Sequence, residues 1–443
     1  MDYIKIQIAA VELFQKRKQE VSKFWSNLDQ VSAQRLLCTS QLLDGDVTFL
    51  ERLATLGKAT DNDLYNLCLH YKDNPYKLKE YRNQMKNITA FKKGGEEVQL
   101  KKLAIFIPHA AWTGGMRMIF KLGDALIERG YQVDYFVPYD TTGERHLLTV
   151  GPITKEVITY KSDEELADFS EQYAAAFATH WDQIFPLYTH FKKTIFYSQG
   201  DYDTFSNMSE KVSLLKLFYS LPIYHMGVSK FLVHQMQKNY ERKPSIVPCG
   251  VDLFKFTYDE NVRKEDYILI VGDATNAYKN VKETITEMLP IAEEYNLQIK
   301  WITPTPGEFQ HDKVQTIENP PQEELSSLFR KAKLFVNGSL IEAFSLPPLE
   351  AMASGTPVIA SNNFGILQYG KPDVNVLLFP FKDYNLMRRQ LKSVLTNEEL
   401  YSNLVKEGVL TAAEYEDGKV NSANIGLIEE KFLLNSFLKC ETI

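Results

Sequence analysis

Residues 334–361 confine the chain to a narrow set of folds. Leu334–Asn337 is an apolar run long enough for one buried strand of a parallel sheet. Gly338–Leu346 follows as a loop, and Pro347-Pro348 then sets the backbone for a helix start, where a missing N–H costs nothing. Leu349, Met352 and Ala353 recur at helical spacing, and Gly355 stops the helix. Thr356-Pro357 turns the chain into a second apolar run, Val358–Ala360. The stretch is a strand-loop-helix-strand unit with a carboxylate on either side of the helix start, Glu342 and Glu350.

That geometry suits a particular ligand. A helix N-terminus carries unpaired N–H groups and a partial positive charge, so it attracts phosphate. A carboxylate in the first turns, Glu350, can accept two hydrogen bonds from the vicinal diol of a ribose. The amides of Phe344, Ser345 and Leu346 can fasten a second set of hydroxyls, with Glu342 at their edge. A nucleotide carrying a sugar meets all of these demands.

Size and composition are ordinary for a soluble globular chain. At 443 residues, length predicts about two to three domains. A hydrophobic content of 44% beside 24% charged residues supplies a sizeable core. The net charge of −7 argues against a general nucleic-acid binder. No apolar run approaches the roughly 18 residues that span a bilayer, and the N-terminus lacks the apolar core of a signal peptide. Cys38, Cys68, Cys249 and Cys440 lie far apart without metal-ligand spacing, as reduced thiols of a cytoplasmic protein do.

Residues 1–98 are a different material. Val11, Phe14, Val21, Phe24, Trp25 and Leu28 recur at helical intervals, as do Leu64, Leu67, Cys68 and Tyr71. The segment reads as an all-helical appendage, with Lys92-Lys93-Gly94-Gly95 as the linker out of it. It suits a homo-oligomer contact, an acceptor-docking element or a membrane-surface patch, and equally a helical pack that covers the next domain.

From Leu103 strands alternate with helices. Leu103–Ile107 reads as a strand, His109–Gly115 as a loop, Met116–Arg129 as a helix capped by Gly130, and Tyr131–Pro138 as the next strand. Gly114-Gly115 lets backbone approach a ligand closely. His109 and Trp112 share that loop, His180 ends one short strand, and Gln199 follows the strand Thr194–Ser198. Asp201-Tyr202-Asp203 has a metal-holding form, but three residues carry too little signal, and we expect no metal. Later elements are the strands Tyr267–Gly272, Ile299–Ile302 and Val314–Ile317, and helices at Glu323–Lys333, Asn385–Leu395, Glu398–Glu407 and Ser422–Leu438.

Glu342-Ala-Phe-Ser-Leu-Pro-Pro-Leu-Glu350 resembles the Glu-x7-Glu signature of the family-4 retaining glycosyltransferases of GT-B fold, and Ala351–Ser361 continues the match without a gap. Thr113-Gly114-Gly115-Met116-Arg117 is similar to that family's opening unit, and Ile246–Asp252 to its hinge. Several positions depart from the pattern, Cys249 in place of the hinge asparagine among them. Ala343-Phe344-Ser345 replaces Gly-Phe-Gly, Gln199 stands where a histidine is frequent, and Asp273 occupies the place of an arginine.

The resemblance implies an α/β chain of two Rossmann-like domains facing a cleft. The expected divisions are 1–98, the helical appendage; 99–250, the acceptor domain; 251–420, the donor domain; and 421–443, a helix returning to the acceptor domain. It implies a metal-independent, cofactor-free hexosyltransferase whose co-substrate is a nucleotide-sugar. The acceptor would be a glycan or lipid-linked glycan of cell-surface polysaccharide, reached from the cytoplasm or the inner membrane face. Lys279 would neutralise the leaving phosphate and Glu342 would orient the sugar. Gly114, Gly115, Gly272, Asn276, Phe344, Ser345, Leu346 and Glu350 would hold the donor, and His109, Trp112, His180 and Gln199 would face the acceptor. The departures motivate an alternative, a GT-B-like subunit that binds sugar or a partner without turnover.

Overall fold

The computed structural model describes residues 101–109, 113–138, 145–200, 215, 218, 219, 221, 223–240, 242, 244–305, 307 and 309–433, together with Glu51, Leu67, Tyr76, Lys77 and Glu80. Apart from those five residues, the helical pack read over 1–98 lies outside the described residues, as do Trp112, Asp201–Asp203 and the end of the last helix beyond residue 433. The chain divides into two units, one of residues 1–227, 233–245 and 425–443, the other of 228–232 and 246–424.

The first unit is an eight-stranded sheet. Its strands are β1 (Lys102–Phe106), β2 (Gln132–Pro138), β3 (Arg145–Val150), β4 (Ile153–Tyr160), β5 (Ala175–Ala178), β6 (Thr194–Ser198), β7 (Tyr224–Gly227) and β8 (Ser245–Ile246). They lie in the order β3-β4-β2-β1-β5-β6-β7-β8. Helices α1 (Gly114–Glu128), α2 (Asp163–Ser170), α3 (Ile184–His190) and α4 (Lys230–Tyr240) occupy the connections. β1, β5 and β6 are buried nearly throughout, because helices cover both faces of a parallel sheet. A core of aromatic side chains fills the unit, with Phe106 stacked on Phe136 at 4.8 Å.

Two features differ from the sequence reading. α1 starts at Gly114, because Thr113 adopts extended backbone and its hydroxyl accepts the Met116 N–H at 3.2 Å. Both glycines thus belong to the first turn of the helix. The hairpin β3-β4 was not read from sequence, since its short edge strand alternates charged, polar and apolar residues over six positions. Arg145 of that hairpin reaches Asp134 of β2 at 3.2 Å, where Lys102 and the Tyr173 hydroxyl also converge on the carboxylate.

His225 is sunk in the core of this unit on β7, edge-on to Phe196. Burial, reinforced by the Arg242 charge, pushes its imidazole down to about 3. The folded chain therefore keeps it neutral while the unfolded chain protonates near pH 6.5. Stability from this group is fully present above pH 6.5 and falls by about 1.4 kcal/mol per pH unit on the way down to 3. In urea titrations at pH 7 and 4.5, His225→Phe should lose about 2–3 kcal/mol less than the wild type. Equal losses would remove His225 from the acid response.

The second unit is a six-stranded, fully parallel sheet of β9 (Glu265–Val271), β10 (Gln298–Thr303), β11 (Val314–Glu318), β12 (Ala332–Asn337), β13 (Val358–Ser361) and β14 (Leu377–Phe379). The order is β11-β10-β9-β12-β13-β14, a doubly wound arrangement that reverses direction between β9 and β12. Its helices are α5 (Val281–Glu294), α6 (Gln322–Lys331), α7 (Leu346–Ala353), α8 (Tyr384–Thr396), α9 (Glu398–Glu414) and α10 (Asp417–Ile428). The last starts five residues before the sequence reading placed it. Its residues from Ile425 onward belong to the first unit, where Glu429 receives the Arg129 guanidinium at 2.9 Å. Among the described residues no helix is long and apolar enough to cross a membrane.

Candidate functional site

Loops leaving the carboxyl ends of two strands at a reversal point diverge, and a crevice forms there. In the second unit those loops are 272–280 after β9 and 338–345 after β12. They are stitched together. The Leu340 N–H donates to the Tyr278 carbonyl at 2.8 Å. The Asn280 carboxamide, on a residue with φ 51°, donates to the Gly338 carbonyl at 3.2 Å and the Tyr384 hydroxyl at 2.8 Å. Lys279 Nζ closes the set on Glu342 Oε1 at 2.7 Å. The lysine side chain keeps 30% of its exposure and the carboxylate 13%, so a ligand can still reach the ammonium.

Each neighbour has a defined task. The Asn276 side-chain oxygen Oδ1 accepts the Tyr278 N–H at 3.0 Å, capping the short turn Ala277–Lys279 that presents the lysine. At Gly272 a Cβ would lie 2.7 Å from the Val281 side chain and 3.4 Å from Lys279 Cβ, so the turn packs where a larger residue would stand. Asp273 accepts from the Thr275 N–H at 2.8 Å, the Thr275 hydroxyl at 2.7 Å and the Thr305 hydroxyl at 2.8 Å. Burial alone would raise its carboxyl, but these hydrogen bonds and the Lys279 charge win and hold it below the usual range. It is a fixed anion.

The other wall is built on left-handed backbone. Ser345 has φ 71° and ψ 69°, a conformation that costs a residue with a Cβ about 1–2 kcal/mol. α7 starts at once after it, and its second and third residues are Pro347 and Pro348. Leu346 therefore supplies the single backbone N–H of the first three helical positions. Phe344 is buried between Tyr369 and Tyr415 and anchors the loop. Behind it, the Glu342 N–H donates to the Asn363 carbonyl at 3.0 Å. Gly365 is squeezed against the same loop, where a Cβ would meet the Glu342 carbonyl oxygen at 2.6 Å and the Phe344 nitrogen at 2.7 Å.

Glu350, on α7, is only 5% exposed. Burial first, then the negative fields of Glu342 and Glu350, push the Tyr369 phenol well above its ordinary value. The structure thus brings together Lys279, Glu342, Asn276, Gly272, Phe344, Ser345, Leu346 and Glu350 within the second unit. Asn280, Asn363 and Tyr369 were missed by sequence reasoning, and the one available signal was Asn280 directly before an apolar helix.

Residues assigned to the acceptor lie in the first unit, at the carboxyl ends of adjacent strands. His109 follows β1 and is exposed, His180 follows β5, and Gln199 follows β6. His180 Nδ1 lies 2.5 Å from Asp182 Oδ1. A Cβ on Gly115 would sit 3.4 Å from the Gln199 side-chain oxygen, so Gln199 lies over the start of α1 beside Gly114 and Gly115. Among the described residues no three His, Cys, Asp or Glu side chains converge as a metal set.

Comparison with known proteins points to the second unit. Residues 308–410 match the family model described as glycosyl transferases group 1. The chain is 31% identical over 138 residues to the MMP alpha-(1->4)-mannosyltransferase of Mycolicibacterium hassiacum, covering 29% of this chain and 33% of that protein. It is 32% identical over 161 residues to the O-antigen chain mannosyltransferase RfbU of Salmonella typhimurium, covering 34% of this chain and 45% of that one. The chain thus spans less than half the length of these curated relatives. In fold it is similar to the sucrose-phosphate synthase of Thermosynechococcus elongatus, with TM-score 0.62 at 17% identity over 74% of this chain and 98% of that one. Anabaena Alr3699/HepE in complex with UDP-glucose gives 0.59 at 10% identity over 74% and 99%. The fold is GT-B-like, and the segment that matches the group 1 glycosyl transferase model spans the Glu342–Glu350 loop.

Proposed function

We propose that this chain transfers a hexosyl group from a nucleotide-sugar to a glycan or lipid-linked glycan acceptor in cell-surface polysaccharide assembly, with retention of configuration and without a metal or other cofactor. The observation that carries the reading is the Lys279–Glu342 pair set across the strand reversal, followed in the chain by Glu350 buried on α7. Relatives named as mannosyltransferases support a hexosyl donor, and a structural neighbour in complex with UDP-glucose supports its nucleotide-sugar class.

In this reading Glu350 accepts the ribose hydroxyls, and Glu342 with the Phe344–Leu346 amides orients the sugar. The bond between the anomeric carbon and the phosphate oxygen breaks while charge grows on the diphosphate. Lys279 and the N-terminus of α7 stabilise that charge, which is the largest contribution such a site can make. The acceptor hydroxyl attacks from the face that the phosphate leaves, and its proton passes to a departing phosphate oxygen. Asn276 and Gly272 serve by fixing the turn that aims Lys279. His109, Trp112, His180, Gln199, Gly114 and Gly115 are assigned to the acceptor side and the donor phosphates. A peripheral inner-membrane location through residues 1–98 belongs to the same proposal.

One observation favours a second reading. Asp273 is held as an anion beside Lys279, so the two loops and the start of α7 set one cation, Lys279, against three carboxylates, Asp273, Glu342 and Glu350. A sugar-binding subunit without turnover would have that balance. Incubation with UDP-glucose, UDP-galactose, GDP-mannose and a dTDP-hexose separates the two. Hydrolysis of any donor, faster with a lipid-linked glycan present, is the expected result. Binding of a donor with no hydrolysis in either condition would replace the enzyme by the subunit.

A further inference from the structure

We propose that Tyr369 is a positioning residue for the donor, acting through Ser345, a deepening that rests on the donor reading of the Glu342–Glu350 loop. Left-handed backbone is ordinary for glycine and unfavourable for serine, so something must hold Ser345 at φ 71°. Two buried residues of one short segment, Asn363 and Tyr369, do so. The Tyr369 hydroxyl donates to the Ser345 carbonyl oxygen, and the Asn363 carboxamide donates to the Ser345 hydroxyl at 3.4 Å.

Both groups are themselves fixed. Asn363 is 0% exposed, and its oxygen accepts the Ile366 N–H at 3.0 Å. The Tyr369 ring packs at 5.5 Å from Phe344 and 5.8 Å from Tyr415. The Tyr415 hydroxyl in turn donates to the Gln368 carbonyl at 2.8 Å, which anchors the residue before Tyr369. The phenol stays protonated and donating across the whole working range of pH.

The consequence falls on a single amide. Pro347 and Pro348 lack N–H groups, so Leu346 is the backbone donor at the tip of α7. Its direction is set by the peptide that joins it to Ser345. Releasing the Ser345 carbonyl lets that residue relax to negative φ and turns the Leu346 N–H away from the ligand. Tyr369 thus supplies by a hydrogen bond what a glycine would supply by lacking a side chain.

The experiment compares wild type, Tyr369→Phe, and Tyr369→Phe combined with Ser345→Gly. Phenylalanine keeps the ring packing, and glycine adopts the left-handed turn without a clamp. In ligand-free protein, amide hydrogen exchange over 340–350 should accelerate about tenfold in Tyr369→Phe and return towards wild type in the double variant. With whichever nucleotide-sugar the wild type turns over, the donor KM should rise about tenfold at nearly constant kcat and recover in the double variant. Wild-type exchange and KM in Tyr369→Phe would overturn the assignment, as would a loss that Ser345→Gly leaves unrepaired. The exchange arm needs no ligand. If the wild type binds none of the four donors, the donor reading fails while exchange still decides whether Tyr369 sets the turn.

Discussion

Lys279→Ala should lower kcat for donor turnover by about 10²–10³-fold, the range found when a site loses one preorganised group that meets developing charge. Stability should fall by about 1–3 kcal/mol, because the Glu342 carboxylate, 13% exposed, loses its hydrogen-bonded partner. The turn Ala277–Lys279 keeps its Asn276 cap in the variant, so the loop remains in place. Lys279→Arg should recover part of the rate, since it restores charge with different reach and hydrogen-bond geometry. Initial-rate kinetics on all three proteins check this. An alanine variant that turns over donor as the wild type does would remove Lys279 from the chemistry.

Glu350→Ala should act on binding. Its carboxylate is 5% exposed on α7, and a buried carboxylate accepting two hydroxyl hydrogen bonds contributes about 1.5–3 kcal/mol for each. We expect the donor KM to rise about 10²-fold or more, with a much smaller change in kcat. Glu350→Gln keeps the volume and one acceptor oxygen, so its KM should lie between. Donor analogues lacking a ribose hydroxyl would separate the roles further. They should bind poorly to wild type and no worse to the alanine variant. Unchanged donor kinetics in Glu350→Ala would refute its assignment.

The two predictions differ in kind because the two residues differ in setting. In the proposed reading Lys279, on a capped turn, meets charge as the bond breaks. Glu350, fixed in the helix between β12 and β13, meets in that reading a group that does not react. Only the first can raise kcat, since only its contact strengthens in the transition state.

Much of the second unit was legible because its signals are local. Leu334–Asn337 and Val358–Ala360 are apolar runs that a parallel sheet demands, and both form strands there. The helix after the loop was legible from Pro347-Pro348 and Gly355, although it begins one residue earlier, at Leu346. Thr194–Ser198 was read with its observed limits. The hairpin over Arg145–Tyr160 was not legible, since its edge strand mixes exposed charge with two buried apolar residues. α1 begins at Gly114 because Thr113 caps it, and the paired glycines disguised that start as a loop.

What sequence could not supply is contact between distant residues. Asn280 meets Tyr384 across 104 positions, and Lys279 meets Glu342 across 63. Tyr369 reaches Ser345 across 24 positions, from a short helical turn that no periodicity marks. Asp273 was conspicuous as a departure from a pattern, but its clamp by Thr275 and Thr305 became visible only with the fold.

The decisive measurement is a crystal structure with bound UDP-glucose or GDP-mannose. Ribose hydroxyls should lie within hydrogen-bond distance of the Glu350 carboxylate, with the diphosphate between Lys279 and the Ser345–Leu346 peptide. A nucleotide lodged away from the loops at 272–280 and 338–346, or one whose phosphates lie nearer Asp273 than Lys279, would contradict the donor reading.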